Sequence, residues 1–213
     1  MNKELKDYLT DFFSYNQDKL EWKRKKDSHN RLFKWGNIKE DLNLINSLNP
    51  SVVLDLGCGD NRYKPVVKNL IGIDICDRPG VDIVSDFTVL DFEDNSIDAT
   101  IAYGSINFGE EDLIEKQLIE TKRVLRKDGI ICFRGYSSND PFYYCWTKEK
   151  CIYFTEKLGF DLIDYPEIVN RLNRKGEAKS TWRDKRYEKL HNKDRTKRRA
   201  LTRLHWRWKK VEE

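Results

Sequence analysis

The sequence contains little of what a metal site, a disulfide framework or a membrane segment requires. Its 213 residues include three histidines, none at metal-ligand spacing, and five cysteines without a Cys-x-x-Cys pair. An odd number of cysteines, several of them within apolar runs, is typical of free thiols in a reducing compartment. No run approaches the roughly 20 apolar residues that cross a bilayer, and the N-terminus lacks a stretch resembling a signal peptide. We therefore expect a cytoplasmic protein with neither a metal site nor membrane contact.

The charge of the chain is distributed unevenly. Residues 1–140 carry 20 Lys/Arg against 25 Asp/Glu, whereas residues 141–213 carry 20 against 11. Between Arg171 and Lys210 the count is 17 basic to 4 acidic residues, with Trp182 and Tyr187 interleaved among them. Cations that contact phosphates, together with aromatic rings that stack on bases, favour a nucleic-acid surface. A solvated helical arm explains the same composition, and the sequence leaves both interpretations open.

Short apolar runs alternate with stretches of helical spacing through the middle of the chain. The runs are VVLDL, NLIGIDI, VDIVSD, IDATIAYG and GIICFRG. This alternation predicts a parallel β-sheet with helices on both faces. Two later runs, FDLIDYPEIV and LHWRW, predict an antiparallel pair that closes the sheet. The expected fold is an α/β domain with a seven-stranded, mostly parallel sheet whose last strand is antiparallel, preceded by a helical extension.

Four segments are expected along the chain. Residues 1–48 form the N-terminal helical extension or lid, with helices at about 3–26 and 38–48, and residues 49–170 form the core. Residues 171–203 are a basic insertion. Residues 204–213 hold the closing strand and the C-terminus.

A Gly-x-Gly turn follows the first apolar run, in the stretch LDLGCGD. Gly57 and Gly59 suit a turn that needs positive φ or the close approach of a ligand. The third glycine of the dinucleotide-binding Gly-x-Gly-x-x-Gly pattern is replaced by Arg62, and Asp55 stands two residues before the first glycine. A carboxylate there disfavours a pyrophosphate, and hence a dinucleotide-dependent oxidoreductase. It favours a ligand with a cationic end, such as S-adenosylmethionine (SAM).

These stretches resemble class I SAM-dependent methyltransferases. LDLGCGD followed by IGIDI is similar to the first two motifs of that family, and SDFTVLDFEDNSIDATIAYGSI and TKRVLRKDGIICFRGY are similar to the segments that come next. The resemblance spans about residues 49–136 and implies a Rossmann-like fold, SAM as the cofactor and methyl transfer as the activity. Asn61 stands where the family often has a third glycine, and asparagine tolerates left-handed backbone.

The resemblance implies roles for nine cofactor-binding residues. Asp55, Gly57, Cys58 and Gly59 hold the methionine end. Asp74 accepts hydrogen bonds from the ribose, with Ile75 beside it. Asp86 contacts the adenine amino group, and Phe87 packs on the adenine ring. Tyr103 faces the methyl group. The full set is Asp55, Gly57, Cys58, Gly59, Asp74, Ile75, Asp86, Phe87 and Tyr103.

The sequence identifies neither a catalytic residue nor the methyl acceptor, because methyl transfer depends mainly on alignment and needs no obligatory base. RNA or another polyanion, a protein and a small molecule all remain open. Tyr136, Tyr143 and Tyr144 lie where the family builds its acceptor pocket, although packing explains them equally well. The alternative function is a catalytically inactive methyltransferase-fold module that acts through its basic arm on nucleic acid or a larger assembly. The oligomeric state is not predicted.

Overall fold

The computed structural model describes residues 3–14, 36–137, 142–168 and 202–211. Within them the chain forms helices α1 (Lys3–Ser14), α2 (Gly36–Ser47), α3 (Glu111–Val124) and α4 (Lys148–Leu158). The strands are β1 (Val53–Leu56), β2 (Leu70–Asp74), β3 (Ile83–Val84), β4 (Ile97–Tyr103), β5 (Leu125–Ser137), β6 (Phe160–Ile168) and β7 (Thr202–Lys210). The basic insertion expected at 171–203 lies almost entirely outside the described residues, as does the predicted helix beyond Ser14. The expected segment boundaries stay predictions.

The seven strands form one sheet in the order β3-β2-β1-β4-β5-β7-β6. β1 pairs in parallel with β2 and β4, and β4 pairs in parallel with β5. The last strand, β7, enters between β5 and β6 and is antiparallel to both. The predicted seven-stranded, mostly parallel sheet with an antiparallel last strand is therefore confirmed.

Two apolar clusters cover the two faces of the sheet. On one face, α3 and α4 pack over a dense aromatic group in which Phe133 stacks on Trp206 with ring centroids 4.5 Å apart. On the other face, Ile38 and Ile45 of α2 pack against residues such as Val53. Alternate residues of each strand point to opposite faces, so a strand buried on both sides reads as a continuous apolar run.

None of the three connections between β1 and β4 contains a helix, in contrast to the alternation of strand and helix that the sequence predicts. Residues 57–69, between β1 and β2, form successive turns and no helix. Pro65 lacks the N–H that a helix interior needs, and Asn61 and Asn69 adopt φ of 47° and 55°. The segment still adds Tyr63 and Val67 to the apolar cluster beneath α2.

Helix α1 packs across the carboxyl edge of the sheet. Its Leu5 and Leu9 are each 5% exposed and form a small cluster with Phe108, against which Ile75 also packs. In the part of the chain that the structure describes, no helix is both long and apolar enough to span a membrane.

Candidate functional site

A pocket of about 340 Å³ opens at the carboxyl ends of the parallel strands. This edge is where open α/β sheets bind their ligands. All nine residues that the sequence predicts for the cofactor line this one pocket. The lining also includes Leu9, Ile38, Asp60, Arg62, Tyr63, Arg78, Gly104, Ser105, Phe108, Gln117, Arg134, Tyr136, Tyr143 and Arg203.

The Gly-x-Gly turn is held tightly against its neighbours. The N–H groups of Gly57 and Cys58 donate to the carbonyl oxygen of Ile73 at 2.7 and 3.0 Å. Gly57 has φ of +74°, and a Cβ there would lie 2.3 Å from the Cβ of Ser105. Gly59 has φ of +60° with open space where its Cβ would stand, so the backbone is bare towards the pocket. Both glycines are therefore required, the first by packing and the second by its backbone conformation.

Asn61 takes the place of the third glycine without breaking the turn. Its φ of 47° lies in the left-handed region, as the sequence analysis expects of asparagine. The side-chain amide donates to the carbonyl oxygen of Gly80 at 2.8 Å and to Asp82 Oδ2 at 3.1 Å. The substitution thus ties the turn to the loop after β2.

Asp55 is a buried carboxylate at the floor of the pocket, with 3% of its surface exposed. Burial raises its pKa to about 7, because the charged form loses its hydration; Arg62 opposes this shift, whereas Asp74 adds to it. Among the described residues, Asp55 Oδ2 has no hydrogen-bond partner. A buried polar atom without a partner costs free energy, and a cationic group with N–H donors would remove that cost.

Asp74, at the end of β2, already receives three hydrogen bonds. Its Oδ2 accepts from the N–H of Gly59 at 2.9 Å, and its Oδ1 accepts from the N–H of Cys76 at 2.9 Å and from Arg78 Nη2 at 3.1 Å. The Asp74 and Arg78 side chains are 7% and 8% exposed. A carboxylate can accept about four hydrogen bonds, so Asp74 can take a further donor from the pocket side.

Asp86 and Phe87 lie on the loop after β3. Burial raises the pKa of Asp86, but hydrogen bonds from the N–H and hydroxyl of Thr88, at 3.1 and 2.5 Å, outweigh it and leave the pKa below its ordinary value. Phe87 is buried with φ of +67°, a conformation that costs a bulky residue free energy. Gln117 of α3 donates to the Asp86 carbonyl oxygen at 2.8 Å and holds the loop in place.

Tyr103, at the end of β4, presents its ring to the pocket and its hydroxyl to α2. The hydroxyl donates to the carboxylate of Asp41, which is fully buried. Asp41 Oδ1 also accepts from Arg207 Nε at 2.5 Å and lies 3.3 Å from His205 Nε2. Burial raises the pKa of Asp41, but the nearby His205 and the hydrogen bonds from Tyr103 and Arg207 together leave it below the ordinary value. Burial and the neighbouring charges raise the pKa of Tyr103 well above 10, so it is a neutral phenol.

Several residues that the sequence analysis did not single out complete the site. Arg134 of β5 and Arg203 of β7 both line the pocket. Arg134 lies in the strand-like run GIICFRG and Arg203 at the end of the predicted basic insertion, and nothing in either stretch distinguishes the two arginines from surface residues. Of the tyrosines considered for the acceptor pocket, Tyr136 and Tyr143 line it, whereas Tyr144 is buried with its hydroxyl on Glu111 at 2.9 Å. Within the described ranges, no group of three or more histidine, cysteine or acidic residues is arranged to hold a metal ion.

Comparison with known proteins gives both a family model and structural neighbours. Residues 54–133 match the family model described as a methyltransferase domain, which covers less than half of the chain. The matched range includes β2 to β4, β1 apart from Val53, and all nine of the predicted cofactor-binding residues. The chain matches none of the curated protein sequences.

Three solved structures illustrate the fold. The 1,6-didemethyltoxoflavin-N1-methyltransferase of Burkholderia thailandensis, solved with 1,6-didemethyltoxoflavin and S-adenosylhomocysteine, is 16% identical with a TM-score of 0.62, over 95% of this chain and 87% of the other. A SAM-dependent methyltransferase from Archaeoglobus fulgidus is 15% identical with a TM-score of 0.57, over 81% of this chain and 93% of the other. The [4+2]-cyclase SpnF is 16% identical with a TM-score of 0.57, over 83% and 82%. At these identities the likeness establishes the fold.

Proposed function

We propose that this chain, of which residues 54–133 match a methyltransferase domain, is a class I SAM-dependent methyltransferase that binds SAM in the pocket at the carboxyl edge of the sheet and catalyses methyl transfer. The observation that supports this most strongly is Asp55. Its buried oxygen lacks a hydrogen-bond partner among the described residues and faces a ligand-sized pocket. The ammonium of a methionine moiety is a donor of the required charge, whereas a pyrophosphate would be repelled.

The pocket residues fit the parts of SAM in order. Asp55 would accept from the ammonium, and the bare backbone at Gly59 would let the methionine end lie close to the turn. Asp74, with capacity for a further donor, would accept from the ribose. Asp86 would accept from the adenine amino group, with Phe87 against the ring. Each of these assignments is part of the proposal.

The apolar part of the lining would exclude water. Leu9 of α1, Ile75 and Phe108 stand together at one side of the pocket. Removing water strengthens every hydrogen bond made to the carboxylates inside the pocket.

The methyl acceptor would enter at the ends of β4 and β5, between Tyr103, Ser105 and Tyr136. Bound SAM supplies a methyl group on a sulfonium, and the contribution of the protein is alignment of a nucleophile with it. Tyr103 would shape this space as a neutral ring, because its hydroxyl is directed to Asp41. We assign no catalytic base.

Catalysis is tested by incubating the protein with methyl-labelled SAM and fractionated cell extract. We expect label in an acceptor of one fraction, and none with the Asp55→Asn variant. The fold alone does not decide this outcome, since a structural neighbour is a [4+2]-cyclase. SAM binding without transfer to any fraction would reject the enzyme and favour the catalytically inactive binding module.

Two further parts of the proposal concern the setting of the protein. All five cysteines are free thiols, which fits a reducing, cytoplasmic compartment. Binding of nucleic acid between Arg171 and Lys210 stays a prediction, because residues 169–201 are outside the described part of the chain. Salt-dependent RNA and DNA binding, measured before and after removal of those charges, tests it.

A further inference from the structure

The balance of acidic and basic groups differs between the two sides of the pocket. Asp55 lies within β1, Asp74 ends β2 and Asp86 follows β3, and all three acidic residues line the pocket. Arg134 and Arg203 line the same pocket from the opposite side, on β5 and β7. The side proposed for the cationic cofactor also includes Asp60, Arg62 and Arg78, so it carries four acidic residues against two arginines. That side is therefore net acidic, whereas Arg134 and Arg203 make the side proposed for the acceptor basic.

The sheet register brings the two arginines to the acceptor side. Arg134 pairs with Tyr103 of β4, the residue that ends the central strand. Because β7 is antiparallel to β5, its first residues lie beside the last residues of β5, and Arg203 pairs with Tyr136. Both guanidinium groups thus belong to the ends of the strands that border the space between Tyr103 and Tyr136.

Each guanidinium lies over an aromatic ring of that space. The Cζ of Arg134 is 5.2 Å from the centre of the Tyr103 ring, and its Nη2 donates to Asn37 Oδ1 at 3.1 Å. The Cζ of Arg203 is 5.5 Å from the centre of the Tyr136 ring. A guanidinium has five N–H donors in one plane, so stacking on a ring is compatible with a bidentate contact to an oxyanion at its edge.

A third arginine, Arg62, lines the pocket beside the Gly-x-Gly turn, where its Nε donates to Asp60 Oδ1 at 3.1 Å. Arg62 is the cation that interacts most strongly with Asp55, the residue proposed to hold the cofactor's ammonium. In an α-amino acid the carboxylate and the ammonium are attached to the same carbon. The pair Asp55 and Arg62 therefore suits the amino-acid end as a whole.

We propose that the methyl acceptor is a small molecule with a carboxylate or phosphate group, and that Arg134 and Arg203 bind this group at the ends of β5 and β7. The inference rests on the SAM-dependent function proposed above. Arg134 is 4% exposed, so only a group that enters the pocket can reach it. A bidentate contact there would fix the orientation of the acceptor relative to the methyl group.

The test is a titration of the protein saturated with S-adenosylhomocysteine, which keeps the cofactor's own carboxylate in place. The probes are inorganic phosphate and benzoate, with chloride at matched ionic strength as the reference, and binding is followed by NMR. The variants are Arg134→Gln and Arg203→Gln. The control is Lys209→Gln, which removes the same charge from the opposite end of β7, where the lysine makes ion pairs of 3.6 and 3.9 Å with Asp128 and Asp161.

We expect at least one probe to bind, with affinity about tenfold lower in each arginine variant and unchanged in the lysine variant. Tighter binding of phosphate would indicate a phosphate-bearing acceptor, and tighter binding of benzoate a carboxylate-bearing one. If Arg134→Gln does not fold, the half-buried Arg203 decides the result.

Three results would overturn the inference. They are the absence of binding by either probe at tens of millimolar, equal affinities in all variants, and a loss of S-adenosylhomocysteine affinity in Arg134→Gln, which would assign that arginine to the cofactor. Failure of the wild-type protein to bind S-adenosylhomocysteine would instead reject the proposed function.

Discussion

The affinity of the protein for SAM should depend steeply on pH, because Asp55 changes its charge on binding. In the ligand-free protein its pKa is raised by burial to about 7, from an ordinary value of 3.8. The ammonium of SAM stays protonated below about pH 7.7. Only the ionised carboxylate pairs with it, so binding in mildly acidic solution must release the proton of Asp55.

The size of the effect follows from the pKa. If the ammonium holds the carboxylate ionised in the complex, affinity falls about tenfold, or ~1.4 kcal/mol, for each pH unit below 7. At about pH 6, roughly 0.9 proton is released per SAM bound. The same raised pKa makes the ligand-free folded protein bind more protons than the unfolded chain between pH 3.8 and about 7. The contribution of Asp55 to the stability of the folded protein therefore declines as pH rises through that range.

Calorimetry of SAM binding in buffers of different ionisation enthalpy measures both the affinity and the released proton. The Asp55→Asn variant should bind weakly and lose this pH dependence. Asp86→Asn is the matched control: the pKa of Asp86 is already below its ordinary value, so the slope between about pH 5 and 7 should persist. A wild-type affinity that is flat with pH, or an equal slope in Asp55→Asn, would refute the reasoning.

Three further predictions, which use four substitutions, test other parts of the account. Asp74→Ala should weaken SAM binding at least about tenfold by calorimetry, and wild-type affinity would reject its ribose role. Gly57→Ala should lower the unfolding free energy in urea more than Gly59→Ala, since only the former places a Cβ 2.3 Å from Ser105; equal losses would contradict this. Asp41→Asn should lower the free energy of unfolding by about 3 kcal/mol near neutral pH and by less in acid. The lowered pKa of Asp41 gives the folded protein stability that is present above pH 3.8 and lost as pH falls through the folded-state pKa. A difference in unfolding free energy between this variant and the wild type, measured in urea, that does not change with pH would contradict that reasoning.

The sheet and the cofactor side of the pocket could be predicted because their signals are local in sequence. A buried parallel strand reads as a short apolar run, and Gly57 marks a turn whose φ is positive. Parallel strands end at the same edge, so residues after β1, β2, β3 and β4 were expected to meet, and they line one pocket.

The remaining features depend on contacts between distant parts of the chain. Asp41 lies within the helical stretch IKEDLNLI and reads as a surface residue. In the structure it accepts a hydrogen bond from Arg207, which lies 166 positions later in the chain. Arg134 reads as an ordinary strand residue and Arg203 as the end of the basic insertion. The parallel pairing of β5 with β4 places Arg134 at the pocket, and the antiparallel entry of β7 places Arg203 there. The segment after Gly59 has helical spacing, but Pro65 and two left-handed asparagines make it a series of turns.

The most direct test of the central claim is a calorimetric titration of the purified protein with SAM and, separately, with NAD. We expect one SAM to bind per chain, with an affinity that Asp55→Asn reduces, and no heat from NAD, because the buried carboxylate repels a pyrophosphate. Binding of NAD in preference to SAM, or no response to SAM at millimolar concentration, would contradict the account.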